Sequence, residues 1–184
     1  MHRNKKELRH HIKSLKKEFS TQAQKKQAIA IHSNLEASSF FINARHVLFY
    51  WAMSDEVATK QIINKWHIHK AIYLPVIDGD NLKIVQYTGK DCLVPGDKYG
   101  IPEPNGPTLA NEDLIDLVIV PGVAFDSNNN RMGRGAGYYD RILKRLPQAK
   151  KIAFAFDFQI IDQVPVEPHD IKMDLVISAN ITAI

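Results

Sequence analysis

The stretch DLVIVPGVAFDSNNNRMGRGAGYYDRIL, residues 116–143, joins three kinds of sequence. It opens on an uninterrupted apolar run, the pattern of a strand buried on both faces of a parallel sheet. It closes on YYDRILKRL, which predicts a helix. Between them Gly133, Gly135 and Gly137 fall at alternate positions, interleaved with Arg131 and Arg134. Strand, glycine-rich turn and helix in that order form the building unit of α/β folds, in which ligands lie beyond the carboxyl ends of the strands.

The flanking sequence repeats the alternation. Upstream, HVLFYW (46–51), AIYLPVI (71–77) and LKIVQY (82–87) predict strands; SDEVATKQIINKWHI (54–68) predicts a helix capped by Ser54 or Asp55. Downstream, KIAFAF (151–156) and DLVIS (174–178) predict two more strands. At the amino end Leu8, Ile12, Leu15 and Phe19 form one stripe of an amphipathic helix, and Thr21 and Gln24 stand at capping-box spacing before a second. Residues 88–113 hold four prolines and four glycines and predict a long irregular segment. The expected fold is a three-layer α/β sandwich around a mainly parallel sheet, Rossmann-like, of the architecture seen in sugar-phosphate isomerases and CoA transferases. The chain of 184 residues, 45% hydrophobic, is long enough to bury a core as one domain, 1–184, with the helices of residues 1–37 packed on it.

Composition narrows the function. One cysteine, Cys92, excludes an intrachain disulfide framework and a cysteine zinc site. No apolar run reaches the roughly 20 residues of a membrane span, and the basic amino terminus lacks the apolar region of a secretory signal. A cytoplasmic protein is expected. The net charge of +4 is unevenly placed: residues 1–30 hold nine Lys/Arg against Glu7 and Glu18, and the remainder is net acidic. Such a segment suits a solvated helix face, or attracts nucleic acid, an anionic surface or a phosphorylated ligand.

Glycines lacking Cβ let several backbone N–H groups converge on an anion, helped by the amino end of the following helix. Arg131 and Arg134 would add charge-assisted bonds to phosphate. The spacing matches neither G-x-x-x-x-G-K-[ST] nor G-x-G-x-x-G. Asp140 suits a helix's first turn, but beside a phosphate it requires an intervening cation such as Mg²⁺, which takes one or two carboxylates plus phosphates. Asp170 and Asp174 in HDIKMD are both candidate partners, and the residues alone do not choose between them.

The order PGVAFDSNNNRMGRGAGYYDRIL resembles the signature of 5-formyltetrahydrofolate cyclo-ligases, also called methenyltetrahydrofolate synthetases. Lys5 and Arg9, SDEVAT (54–59), GIPEP (100–104) and VPVEPHD (164–170) extend the resemblance over nearly the whole chain. Asn129 stands where the family usually has glycine, and Met132 where it has leucine; Asn tolerates left-handed backbone and Met fills a similar volume. The resemblance implies an ATP-dependent enzyme converting 5-formyltetrahydrofolate to 5,10-methenyltetrahydrofolate with Mg²⁺.

It also implies the site. Lys5, Arg9 and the run Arg131, Met132, Gly133, Arg134, Gly135, Ala136, Gly137, Tyr138 and Tyr139 would contact ATP. Trp51, Glu56 and residues 134–138 would contact folate. Asp140 and Asp170 would hold the metal, and Arg134, Tyr138 and Asp140 would act in catalysis. Without the resemblance, Glu56 is an ordinary first-turn helix acid and Trp51 is core packing. A monomer is expected, with a folate substrate that carries one or more glutamates and with no nucleic-acid or membrane partner. The rivals are a nucleic-acid-binding module using the basic helices, an enzyme of the same fold with another substrate, and a relative that binds without turnover.

Overall fold

The computed structural model describes residues 4–96, 98 and 100–181; Arg3 of the basic segment lies outside them. The helices are α1 (Lys5–Glu18), α2 (Thr21–Ala37), α3 (Ser39–Asn43), α4 (Lys60–Trp66) and α5 (Tyr138–Arg145). The strands are β1 (His46–Leu48), β2 (Ala71–Asp78), β3 (Asn81–Tyr87), β4 (Leu93–Pro95), β5 (Pro102–Pro104), β6 (Leu117–Val120), β7 (Ala124–Asp126), β8 (Arg131–Met132), β9 (Lys150–Phe154), β10 (Ile160–Ile161) and β11 (Leu175–Ile177).

The main sheet has the order β11-β9-β6-β1-β2-β3. Every neighbouring pair is parallel except the β2–β3 hairpin at one edge. The expected α/β fold with a mainly parallel sheet is therefore the observed one. Val47 pairs with Leu117 and Leu48 with Val118. Side chains alternate across this centre. Val47, Phe49, Leu117 and Ile119 pack with Ile31 and Leu35 of α2 and Phe41 of α3. Leu48, Val118 and Val120 pack on the other face with Ile142 and Leu143 of α5. That two-sided burial is why β6 reads as a continuous apolar run.

After β1 the chain builds outward through β2 and β3, then returns to β1's other side with β6. The order thus reverses between β1 and β6, the kind of crevice where α/β sheets bind ligands. A smaller sheet, β10-β7-β8, lies beside it. The stripe of α1 docks there: Leu8 and Ile12, fully buried, pack with Val123, Ala124, Met132 and Val164. Asn4 caps α1, its Oδ1 accepting from Lys6 N and Glu7 N at 3.0 Å each.

Three expectations change. The second helix is capped by Ser20, whose Oγ accepts from Ala23 N at 3.2 Å, and Thr21 is already its first residue. The helix predicted from Ser54 begins at Lys60, with Thr59 as its cap. Residues 50–59 instead fold back on themselves: buried Thr59 donates to Tyr50 O at 2.6 Å and accepts from Ala52 N, while Tyr50 donates to Val57 O at 2.8 Å. The irregular segment 88–113 contains the β4–β5 hairpin, whose Glu103 accepts from Ile77 N at 3.1 Å and so ties it to β2.

Candidate active site

At the β1–β6 crevice lies a cavity of about 390 Å³. Tyr50, Trp51 and Met53 reach it from the chain after β1, Pro121 and Gly122 from the end of β6, and residues 133–137 with the start of α5 close it. Its walls are mainly apolar, and its charged groups are Glu56, Glu103, Arg131, Arg134 and Asp140.

The glycine loop is held from outside by arginines. Arg9 of α1 donates from Nε to Gly133 O at 3.0 Å, and Arg141 donates from Nη2 to Ala136 O at 3.1 Å. Tyr138 anchors the next residue by donating to Gly79 O at 3.2 Å. Gly135 has φ 108° and Gly137 φ 71°, conformations that a side chain disfavours. At Gly133 a Cβ would stand 2.8 Å from Arg131 Nη1 and would have to displace the end of that guanidinium. With the carbonyls of Gly133 and Ala136 so engaged, the N–H groups of residues 133–140 find no backbone acceptor among the described residues. They form a row of free donors that runs into the amino end of α5.

Arg131 and Met132 show how β8 divides its labour. Successive strand residues face opposite ways. Arg131 lines the cavity, almost fully buried, and donates to Asp140 Oδ1 at 2.7 Å and Pro121 O at 3.2 Å. Met132 points the other way into the core under α1 and is 1% exposed. Its side chain therefore does not line the cavity. Asn129 adopts φ 60°, the left-handed geometry anticipated for it. The turn around it is organised by buried Asp126, which accepts from the backbone N–H groups of Asn128, Asn130 and Val164 and from Asn130 Nδ2, all at 2.9–3.0 Å. Burial pushes the Asp126 carboxyl up, but these donors outweigh it and leave it below the usual carboxylate range.

The remaining candidates divide. Trp51 and Glu56 line the cavity with the loop. The Trp51 ring packs 5.9 Å from Tyr87, and its buried Nε1 has no partner among the described residues. Glu56 is not a helix acid: Oε2 accepts from Met53 N at 3.0 Å, and Oε1 accepts from Arg134 Nη2 at 3.0 Å and Nε at 3.2 Å. Tyr139, partly buried and packed against both core clusters, also lines the cavity, and burial drives its hydroxyl far above the usual range.

Lys5 lines neither cavity; its Nζ sits 2.7 Å from both Asp170 Oδ2 and Glu167 Oε2. Burial pushes the Asp170 carboxyl up, yet Lys5 and the Glu167 N–H hold it below its ordinary value. Asp170 clusters with Glu167 and His169, their ligand atoms within 4.8 Å of one another. Asp140 belongs to no such cluster among the described residues and keeps Arg131 as its cation. Asp174 is engaged at a strand end, accepting from Lys151 N at 2.7 Å.

Sequence reasoning placed Asp55 only as a possible helix cap and left Lys13 and Lys16 unexplained; the three line a second cavity of about 230 Å³ with Arg9 and Arg134. It also missed Ile77, Leu82 and Glu103, which wall the first. Glu103 lies in the GIPEP turn, a motif whose function only the hairpin's contact with β2 reveals. Among the described residues no helix is long and apolar enough to cross a membrane.

The chain is 30% identical to the 5-formyltetrahydrofolate cyclo-ligase of Mus musculus, over 92% of this chain and 91% of that one. The solution structure of 5,10-methenyltetrahydrofolate synthetase from Aquifex aeolicus superposes with a TM-score of 0.87 at 30% identity, covering 96% of this chain and 90% of that one. A Mycoplasma pneumoniae 5,10-methenyltetrahydrofolate synthetase shares the fold, with a TM-score of 0.77 at 24% identity over 96% and 99% of the two chains. Residues 1–179 match the sequence profile of the 5-formyltetrahydrofolate cyclo-ligase family, and to that family the chain belongs.

Proposed function

We infer that the cavity and its loop carry out the family's reaction, the ATP-dependent conversion of 5-formyltetrahydrofolate to 5,10-methenyltetrahydrofolate with release of ADP and phosphate. The supporting observation is the row of free N–H donors at residues 133–140, set beside a largely apolar cavity edged by Arg131, Arg134 and Asp140. A flat pteridine suits the apolar walls, and a triphosphate suits the donors.

The chemistry needs positioning more than reactive side chains. A formamide oxygen is a poor leaving group, so the formyl oxygen attacks the γ-phosphorus and ADP departs. N10 then attacks the formyl carbon, loses its proton, and phosphate leaves as the ring closes. The loop N–H groups, Arg131 and Arg134 stabilise the charge on the transferring phosphoryl group. Arg9 holds the loop's carbonyl outward and keeps its donors turned toward the phosphates. Glu56 accepts from the pteridine N–H donors, and Trp51 supplies apolar wall. Tyr138 fixes the loop's exit into α5.

The donor set fits Mg²⁺ on one side: Asp140 spends one oxygen on Arg131, and its other oxygen would be available to hold the ion. Asp170 would add a second carboxylate by exchanging Lys5, whose ammonium would then pass to a phosphate. Mg²⁺ when bound neutralises phosphate charge. This reading takes residues 1–184 as one cytoplasmic, monomeric domain.

An absorbance assay tests it. Methenyltetrahydrofolate should accumulate from 5-formyltetrahydrofolate only when ATP and Mg²⁺ are both present. Folded protein that binds ATP yet gives no product sinks the assignment.

A further inference from the structure

Arg134 lines both cavities, and carboxylates hold its guanidinium between them. Nη2 donates to Asp55 Oδ1 at 2.6 Å, and Nη2 and Nε share Glu56 Oε1. The second oxygen of Asp55 accepts from Lys16 Nζ at 2.9 Å. The smaller cavity is cationic, with Arg9, Lys13, Lys16 and Arg134 gathered around the single acid Asp55. Glu56, with Met53 N on its other oxygen, has both oxygens engaged while Arg134 stays docked.

We propose that Asp55 is a positioning residue that couples the two substrates, by holding Arg134 as a clasp across Glu56. The proposal rests on the assignment above of Arg134 to phosphate and Glu56 to folate. An anionic ligand offers Arg134 a better partner than two carboxylates and draws it off Glu56. The freed Oε1 can then accept from pteridine N–H groups. Folate on Glu56 likewise releases Arg134 toward phosphate. Whichever ligand binds first breaks the ion pairs, and the second finds them broken. Such coupling is reciprocal by linkage.

The local electrostatics agree. Burial pushes the Asp55 carboxyl up, but Lys16 and Arg134 outweigh it and hold it below its ordinary range. Burial would lower the Arg134 guanidinium, yet Asp55 and Glu56 raise it. The pairs are unequal in depth: the Arg134 side chain is 46% exposed and that of Glu56 is 10% exposed. Exposed pairs are weak, so the coupling belongs near the low end of the usual range, about fivefold.

Calorimetric titration of a non-hydrolysable ATP analogue with Mg²⁺, with and without saturating 5-formyltetrahydrofolate, measures the factor. The wild type should bind each ligand about fivefold more tightly in the presence of the other. In Asp55→Asn the factor should fall toward one, while Asp55→Glu, which keeps the charge, should retain most of it. The coupling factor decides, because removing any acid here raises anion affinity by Coulomb attraction alone. An unchanged factor in Asp55→Asn, or a wild type that binds both ligands independently, overturns the clasp and leaves the functional assignment standing. A wild type that binds neither ligand overturns the assignment and the clasp with it.

Discussion

Asp126→Asn tests whether one buried carboxylate shapes the turn that delivers Arg131 to the cavity. Asp126 is 2% exposed, and four N–H donors converge on it. Asn is isosteric, but its one amide oxygen can serve only one side of the group. With the oxygen facing the Asn128 and Asn130 backbone, the amide NH₂ would face Val164 N and Asn130 Nδ2, which are themselves donors. Two charge-assisted bonds are lost, at roughly 1.5 kcal/mol each at the low end, so the substitution should cost about 3 kcal/mol. In a chain of this size that is a fall in Tm of roughly 6–12 °C. The pH dependence has a fixed sign. The folded pKa lies below the unfolded one, so the contribution is complete above the unfolded value, roughly 3.9, and is lost as pH falls through the folded value. Thermal melting of both proteins from pH 7 to pH 3 measures the gap, which should narrow in acid. A gap below 1 kcal/mol at pH 7, or one that stays constant into acid, would refute the reasoning.

Asp140→Asn should greatly reduce turnover per folded molecule, and wild-type rates would remove Asp140 from the site. The same change should lower stability by about 1.5–3 kcal/mol, because buried Arg131 loses its charged partner; chemical denaturation reads this separately. Arg134→Ala should weaken nucleotide binding by roughly 1.5–3 kcal/mol, and an unchanged affinity by calorimetry would exclude the phosphate contact. Gly122→Ala should destabilise the protein by about 1–3 kcal/mol in a urea melt, since the new Cβ would lie 2.3 Å from the buried Phe125 ring.

The sheet was legible because its strands are apolar runs bounded by turn residues, and β6 announced two-sided burial. The small β10-β7-β8 sheet was not, since strands of two or three residues leave no periodicity to read. The helix start at Ser54 failed for a definite reason. Ser, Asp and Glu before an apolar pattern spell a cap, yet here Asp55 and Glu56 answer Lys16 and Arg134, 39 and 78 positions away. Met132 was read as part of a run, whereas the alternation of a strand turns its side chain into the core under α1. The glycines and arginines together marked in the sequence the loop that lines the cavity; the arginines that hold it, Arg9 and Arg141, act through carbonyls that no motif records.

The contact from Arg9 to Gly133 spans 124 residues, and that from Lys5 to Asp170 spans 165. Neither belongs to the six-stranded sheet, whose ladder is complete without them. The loop therefore takes its shape from a terminal helix resting on a minor sheet, and terminal elements open at a lower free energy than a central core. Heating should thus release α1 first, and the protein should lose its working geometry while still folded by every measure that reports on the sheet.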